Sequence, residues 1–219
     1  MYRLQSIELE KELREGEAKS PPNNSIKRIK DDLLSIGKGS MVEDLPAFFK
    51  DISQYEYKHP GLSRDAYMCH PVRVARLVIS YSELFGIETI KLALSHNILE
   101  VADLDESSVI PDSLKELLPT ITALTVDRAQ QWDSAYKRNY YDGFSDDRNA
   151  ATVKVFDKLD NLYMLSNNPN RKIKELYLDE IEHHIIALAR RYVPKVVQII
   201  NELILYNRKI LEAGEGNEV

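Results

Sequence analysis

The chain has 219 residues, and its 29 Lys and Arg against 35 Asp and Glu leave a formal net charge of −6, which excludes a generally basic nucleic-acid binder. Hydrophobic residues make up 43% of the chain, enough for a sizeable core, so a wholly disordered chain is excluded as well. Eight Gly and nine Pro are too few for a sandwich or barrel with frequent turns, and the single Cys69 cannot close an internal disulfide.

Residues 1–20 alternate charged side chains with scattered Leu and Ile and contain no apolar signal-peptide core. No apolar run is long enough to cross a bilayer, so a soluble, cytoplasmic protein is expected, without a membrane or nucleic-acid partner. Assembly of several copies is left open.

In chain order, residues 1–25 read as a loosely held arm, with room for one short helix before the Pro- and Asn-rich stretch 20–25. Ser25 is placed to cap a helix through Leu34, with Ile26, Ile29, Leu33 and Leu34 near one face. A short segment follows from Glu43 to Tyr55, and residues 56–69 read as a connecting loop. From His70 the pattern Val74, Leu77, Val78, Tyr81 predicts a helix with Pro71 in its first turn and Gly86 as its stop. Ile90, Leu94, Ile98 and Val101 predict a helix over 88–101.

Residues 103–108 read as a loop, Pro111 opens a helix toward Leu118, and 120–141 is helical in two pieces broken at Gly143–Ser145. Ser145 or Asp146 is expected to cap a helix through Leu165, ended by Asn167-Asn168-Pro169. Helices over 172–191 and 194–212 complete the domain, and 213–219 reads as a disordered tail. The fold class is therefore all-α, a single helical bundle of about eight helices over residues 26–212. Ile185, Ile186, Val196, Val197, Ile199, Ile200, Leu203 and Leu205 are more apolar than one helix face requires, which favours burial on two sides over a partner surface.

Chemistry-bearing residues cluster in three places. His70 stands beside a buried-looking helix, and His96 lies in an apolar neighbourhood one turn before Glu100. Lys154, Asp157 and Asn161, at i, i+3 and i+7, share a third face. Taken singly, each has an ordinary explanation: a hydrogen-bonded core histidine, or an Asp paired with a neighbouring Lys. Asp160 reads as a solvated neighbour of Asp157, or as its replacement if the register shifts.

In order, these segments resemble the HD-domain metal-dependent phosphohydrolases, in particular the RelA/SpoT-like branch that hydrolyses guanosine tetraphosphate. Tyr67-Met-Cys-His70-Pro71 with Val74-Ala75 is similar to the family's Tyr-x-x-His-Pro helix, and Ala93-Leu-Ser-His96-Asn97-Ile-Leu-Glu100 stands at its His-Asp segment. Ile121-Thr-Ala-Leu124-Thr125 matches a Val-x-x-Leu-Thr helix, and Lys154, Asp157 and Asn161 match Lys-x-x-Asp-x-x-x-Asn. The likeness covers about residues 55–192.

The resemblance implies Mn²⁺, or another divalent first-row ion, on His70, His96, Asn97 and Asp157, since imidazoles and carboxylates suit such ions. It implies a catalytic group of His96, Asn97 and Glu100, with Glu100 orienting or deprotonating the attacking water. It also implies a small-molecule nucleotide substrate, guanosine tetra- or pentaphosphate in first place, bound through Arg64, Tyr67, Lys154 and Asn161, with Arg148 a further candidate.

Two departures bear on activity. Asn97 stands where the family has Asp, and Val101 replaces a second acid. An amide oxygen can ligate but brings no negative charge to a dication. The alternative expectation is therefore a catalytically impaired relative that binds a nucleotide or a protein partner. A substitution introduced at 97 to trap substrate is a third explanation, and the second departure at 101 favours natural divergence over it.

Overall fold

A computed structural model describes residues 2–22, 24–55, 57, 63–102, 104 and 110–215. The chain folds as an all-α bundle. Among the described residues there is no strand, only an isolated antiparallel bridge between Tyr57 and Ala102.

The elements are α1 (Tyr2–Lys19), α2 (Ser25–Ser35), α3 (Leu45–Ser53), α4 (Arg64–Tyr81), α5 (Ile87–Ser95), α6 (Ile98–Val101), α7 (Asp112–Lys115) and α8 (Leu118–Leu124). They continue with α9 (Ser134–Phe144), α10 (Arg148–Met164), α11 (Arg171–Glu180), α12 (Ile186–Tyr192) and α13 (Val197–Glu215). A π-helical turn, Ile181–Ile185, joins α11 to α12, and short 3₁₀ turns lie at Gly39–Met41, Leu165–Asn167 and Pro194–Val196. There are more segments than expected because predicted helices break, as at His96-Asn97 between α5 and α6.

The centre of the bundle is α10, packed against α4 and α5. Its Ala150, Ala151, Val153, Val155, Phe156, Leu159 and Leu162 are buried all round, so its buried polar members Lys154, Asp157 and Asp160 must find partners inside the protein. Asp147 caps this helix by accepting from the backbone amides of Asn149 and Ala150, one position beyond Asp146 and two beyond Ser145, the expected caps.

Several elements depart from the sequence expectation. The N-terminal segment is an 18-residue helix docked on α4 and α10, with Ile7 and Arg14 buried. Its charges are ion-pair partners for other helices, a role that charge alternation along the sequence does not reveal. Helix α4 starts at Arg64, capped by Ser63 Oγ accepting from Ala66 N, so residues 64–69, expected in the loop, are helical. Residues 58–62 of that expected loop, and 103 and 105–109 of the next, lie outside the described residues.

Pro71 consequently sits in the interior of α4, where it has no amide to offer the Tyr67 carbonyl one turn back. Gly86 does not stop α4, which ends at Tyr81. It is the N-cap of α5, and its backbone N–H donates to the Thr89 hydroxyl oxygen at 3.3 Å. Ser25 is the first residue of α2 and caps nothing, because Asn24 holds the cap position. Leu34 faces solvent, since it is rotated about 100° from the buried Leu33. Gly143 lies within α9, and α13 carries the chain past residue 212 to Glu215, with 216–219 outside the described residues.

The apolar C-terminal segment is largely buried, although α13 leaves one face to solvent instead of being buried on two sides as expected. Ile185, Val196, Ile200 and Leu203 are core residues, and Ile186, Val197 and Ile199 pack on the core from its edge. Leu205 is the exception and is exposed.

Candidate metal centre

Three helices bring the candidate ligands together. His70 comes from the second turn of α4, His96 from the C-cap of α5, and Asp157 from the middle of α10. One ligand atom from each lies within 4.8 Å of the others. The Nε2 atoms of His70 and His96 are 3.3 Å and 3.6 Å from the same oxygen, Asp157 Oδ1.

The far side of each imidazole is tied down. His96 Nδ1–H donates to the Ala93 carbonyl at 2.8 Å, and His70 Nδ1–H donates to Asp160 Oδ2 at 2.8 Å. Each bond selects the Nδ1–H tautomer of the neutral ring and turns Nε2 inward, the arrangement metal-binding histidines use. Both Nε2 atoms are buried and lack a hydrogen-bond partner, because their approach to Asp157 has the distance of an ion pair without the alignment of a hydrogen bond. Two orphaned nitrogens and a carboxylate oxygen facing one point are a donor set that fits a first-row divalent ion.

Asp157 is pinned from its own helix. Its Oδ2 accepts from Lys154 Nζ at 3.2 Å and its Oδ1 from Asn161 Nδ2 at 2.8 Å. Burial by itself would raise this carboxyl, but Lys154, His70 and His96 outweigh burial and hold it well below the ordinary range, so Asp157 is ionised. Lys154 is likewise buried and fully charged. Desolvation opposes its charge, and Tyr140 and Asp157 more than restore it.

Asp160 is the residue that the sequence most misrepresents. It is buried, and it receives Arg73 Nε at 2.9 Å, Arg73 Nη2 at 3.0 Å and Arg14 Nε at 2.9 Å besides the His70 ring. Against the upward push of burial, Arg73, His70 and Arg14 keep it far below the usual carboxylate range. Asp160 is therefore the orienting carboxylate behind His70, and its bond to Arg14 ties α1 to the centre. Arg73 also reaches Glu17 of α1 at 3.0 Å.

A cavity of about 580 Å³ opens beside this group. Tyr67, His70, Asn97, Asp160 and Asn161 line it, and Trp132, Tyr136, Tyr140 and Tyr177 give it aromatic walls. Tyr67 is buried, stacks on Tyr57 with ring centroids 5.3 Å apart, and its hydroxyl is hydrogen-bonded by the Asn97 side chain. Glu100 is committed elsewhere: Oε1 accepts from Val126 N at 3.1 Å and Oε2 pairs with Arg128. Lys154 stands behind Asp157 and is not part of the cavity wall. Arg64 is exposed at the start of α4, donates to the Ser53 carbonyl and does not line the cavity, and Arg148 lies 5.2 Å over the Tyr192 ring.

His70 gives the metal-free site a pH signature. Burial would lower its pKa, but Asp157 and Asp160 overcome burial and raise it from 6.5 to about 9. A histidine with a raised folded pKa contributes stability that is fully present below pH 6.5 and is lost as pH climbs through about 9. The unfolding free energy of the metal-free protein should accordingly fall by about 3 kcal/mol across that window, and His70→Gln should remove the slope. The same proton must leave before Nε2 can ligate. Mn²⁺ uptake near neutral pH should thus release about one proton, read from calorimetric enthalpies in buffers of different ionisation heat.

The chain matches no protein-family model and no curated protein. Among the described residues, no helix is long and apolar enough to cross a membrane. The sequence alone gives no role to Arg14, Arg73, Lys137 or Glu180, which line the cavity, and it places Asp160 as a solvated neighbour of Asp157, whereas Asp160 is buried. A usable signal exists for Asp160 and Lys158: both are charged residues in a helix whose apolar residues are not confined to one face.

Proposed function

We infer that this chain is a metal-dependent phosphohydrolase acting on a nucleotide, with guanosine tetra- or pentaphosphate as the first substrate to test. The single observation that carries this reading is the pair of orphaned imidazole nitrogens, His70 Nε2 and His96 Nε2, both directed at Asp157 Oδ1. When bound, a divalent ion such as Mn²⁺ supplies Lewis-acid neutralisation of charge on a phosphoryl oxygen. His70, His96 and Asp157 hold that ion, Asn161 and Lys154 fix the Asp157 carboxylate, and Asp160 fixes the His70 ring. Tyr67 and Asn97 form the adjoining cavity wall, and the aromatic faces of Trp132 and Tyr177 suit a purine ring.

A second reading, a relative that binds its ligand with little or no turnover, is favoured by the surroundings of Glu100 and Asp157. Both oxygens of Glu100 are engaged, by Val126 N and by Arg128, and the Arg128 charge lowers its basicity toward a water proton. Lys154 neutralises part of the charge that Asp157 offers a dication, and Asn97 adds none.

Metal content after purification, followed by incubation of Mn²⁺-loaded protein with a nucleotide panel, separates the two readings. Pyrophosphate release that disappears in Asp157→Ala supports hydrolysis. Metal and nucleotide binding without release would leave the second reading, and absence of Mn²⁺ binding would remove both metal-based roles. Asn97→Asp should raise Mn²⁺ affinity at least about tenfold, because it adds a negative charge beside the dication. Unchanged affinity would place residue 97 outside the coordination sphere.

A further inference from the structure

On another wall of the same cavity, Lys137 of α9 and Lys158 of α10 converge on Glu180 of α11. Glu180 Oε1 accepts from Lys158 Nζ at 2.7 Å and from the Tyr141 hydroxyl at 2.6 Å, while Oε2 lies 3.2 Å from Lys137 Nζ. Burial opposes its ionisation, but the two lysines and Tyr141 bring its pKa down to about 2, so the carboxylate is charged.

The charges do not cancel. Both lysine side chains are only 11% exposed, and among the described residues Glu180 is the one carboxylate within ion-pair reach of either. Two buried cations share one anion. Each ammonium has three donors, and Glu180 takes one from each. The neighbouring surfaces are ring faces, Trp132 at 4.6 Å from Lys137 Nζ and Tyr177 at 4.5 Å from Lys158 Nζ, which attract a cation but accept no strong hydrogen bond. A desolvated excess positive charge with spare donors, facing an open cavity, is stabilised by a further anion.

We propose that Lys137 and Lys158, held apart by Glu180, form an anion subsite that binds a phosphate or pyrophosphate group at a position separate from the His70–His96–Asp157 group. Glu180 spaces the two ammonium groups and limits their net charge, so it competes with the incoming anion. The assignment of that anion to a phosphorylated substrate rests on the hydrolase reading. The lysine geometry does not.

The test titrates inorganic pyrophosphate, and separately a nucleoside 3′,5′-bisphosphate, into metal-free full-length protein by calorimetry. Lys137→Met and Lys158→Met should each weaken binding at least about tenfold, the loss expected for a charge-assisted hydrogen bond. Lys137→Arg should retain binding, and Glu180→Gln should strengthen it. Each lysine is changed separately, so that a variant that fails to fold leaves the other to decide.

Tighter binding of the bisphosphate than of pyrophosphate would support an anion held as part of a nucleotide; the reverse order would support capture of a free anion. Affinity unchanged in the folded methionine variants, or weaker binding in Glu180→Gln, would overturn the subsite. A parallel Mn²⁺ titration keeps the two ideas apart. Metal binding without lysine-dependent anion binding defeats the subsite alone, and the converse defeats the metal reading alone.

Discussion

Asp157→Ala is expected to abolish Mn²⁺ binding and to lower the stability of the metal-free protein by about 3–5 kcal/mol, the cost of leaving a buried ion unpaired. The ion left behind is Lys154, whose side chain is 3% exposed and faces the vacated carboxylate. Stability and ligation can be uncoupled, because ligation needs the Asp157 carboxylate itself, whereas the stability loss comes from leaving Lys154 unpaired. In the double variant Lys154→Met/Asp157→Ala, the unpaired ammonium is gone and an apolar side chain of similar length fills its place. Much of the lost stability should return in chemical denaturation, while Mn²⁺ binding stays absent. If the double variant is no more stable than Asp157→Ala, burial of Lys154 is not the source of the loss.

The second large effect is expected at Asp160. Asp160→Asn keeps the shape of the side chain and removes the charge that Arg73, Arg14 and the His70 ring share. A neutral amide can accept at one atom only, so Arg73 and Arg14 lose part of the carboxylate they share and fall back on Glu17 and Glu10, and a destabilisation of about 2–3 kcal/mol should follow. The loss should have a local signature. Amides of α1 should exchange with solvent faster in the variant than in the parent, because Arg14 anchors that helix to α10. Mn²⁺ affinity should fall about 10- to 100-fold, since the carboxylate that orients a ligating imidazole has been lost. An Asp160→Asn protein with parent-like exchange in α1 and unchanged metal affinity would show that the Arg14–Asp160–His70 chain transmits nothing.

The helical character of the chain was legible because its apolar residues recur with helical spacing and its turn formers are sparse. The convergence of His70, His96 and Asp157 was legible for a different reason: the residue types and their order resemble a known metal-dependent family, although their separations of 26 and 61 positions carry no geometric information. What escaped the sequence reading shares one physical cause. Arg14, Glu17, Arg73 and Asp160 are charged, and charge taken alone predicts solvent. Their burial is made tolerable by partners on other helices, and such pairing leaves no periodic trace along the chain. For Arg64 the sequence shows only a basic residue near a ligand motif, and not that it begins a helix and reaches back to the Ser53 carbonyl, away from the cavity wall. The placement of Pro71 and Gly86 turned on local chemistry. Ser63 offers a better cap than the His70 segment, so α4 starts earlier and carries the proline into its interior.

The long reach of the Arg14–Asp160 contact, 146 positions along the chain, sets a schedule for assembly. During synthesis α1 emerges before α10, with a guanidinium whose carboxylate partner has not yet been translated. His70 and His96 follow, still lacking the aspartate between them. The cluster closes only once α10 has left the ribosome and packed against α4 and α5, at which point helix docking, ring orientation and carboxylate placement are completed together. A cation arriving before that moment would meet isolated side chains, so any loading would belong to the finished bundle and not to the nascent one.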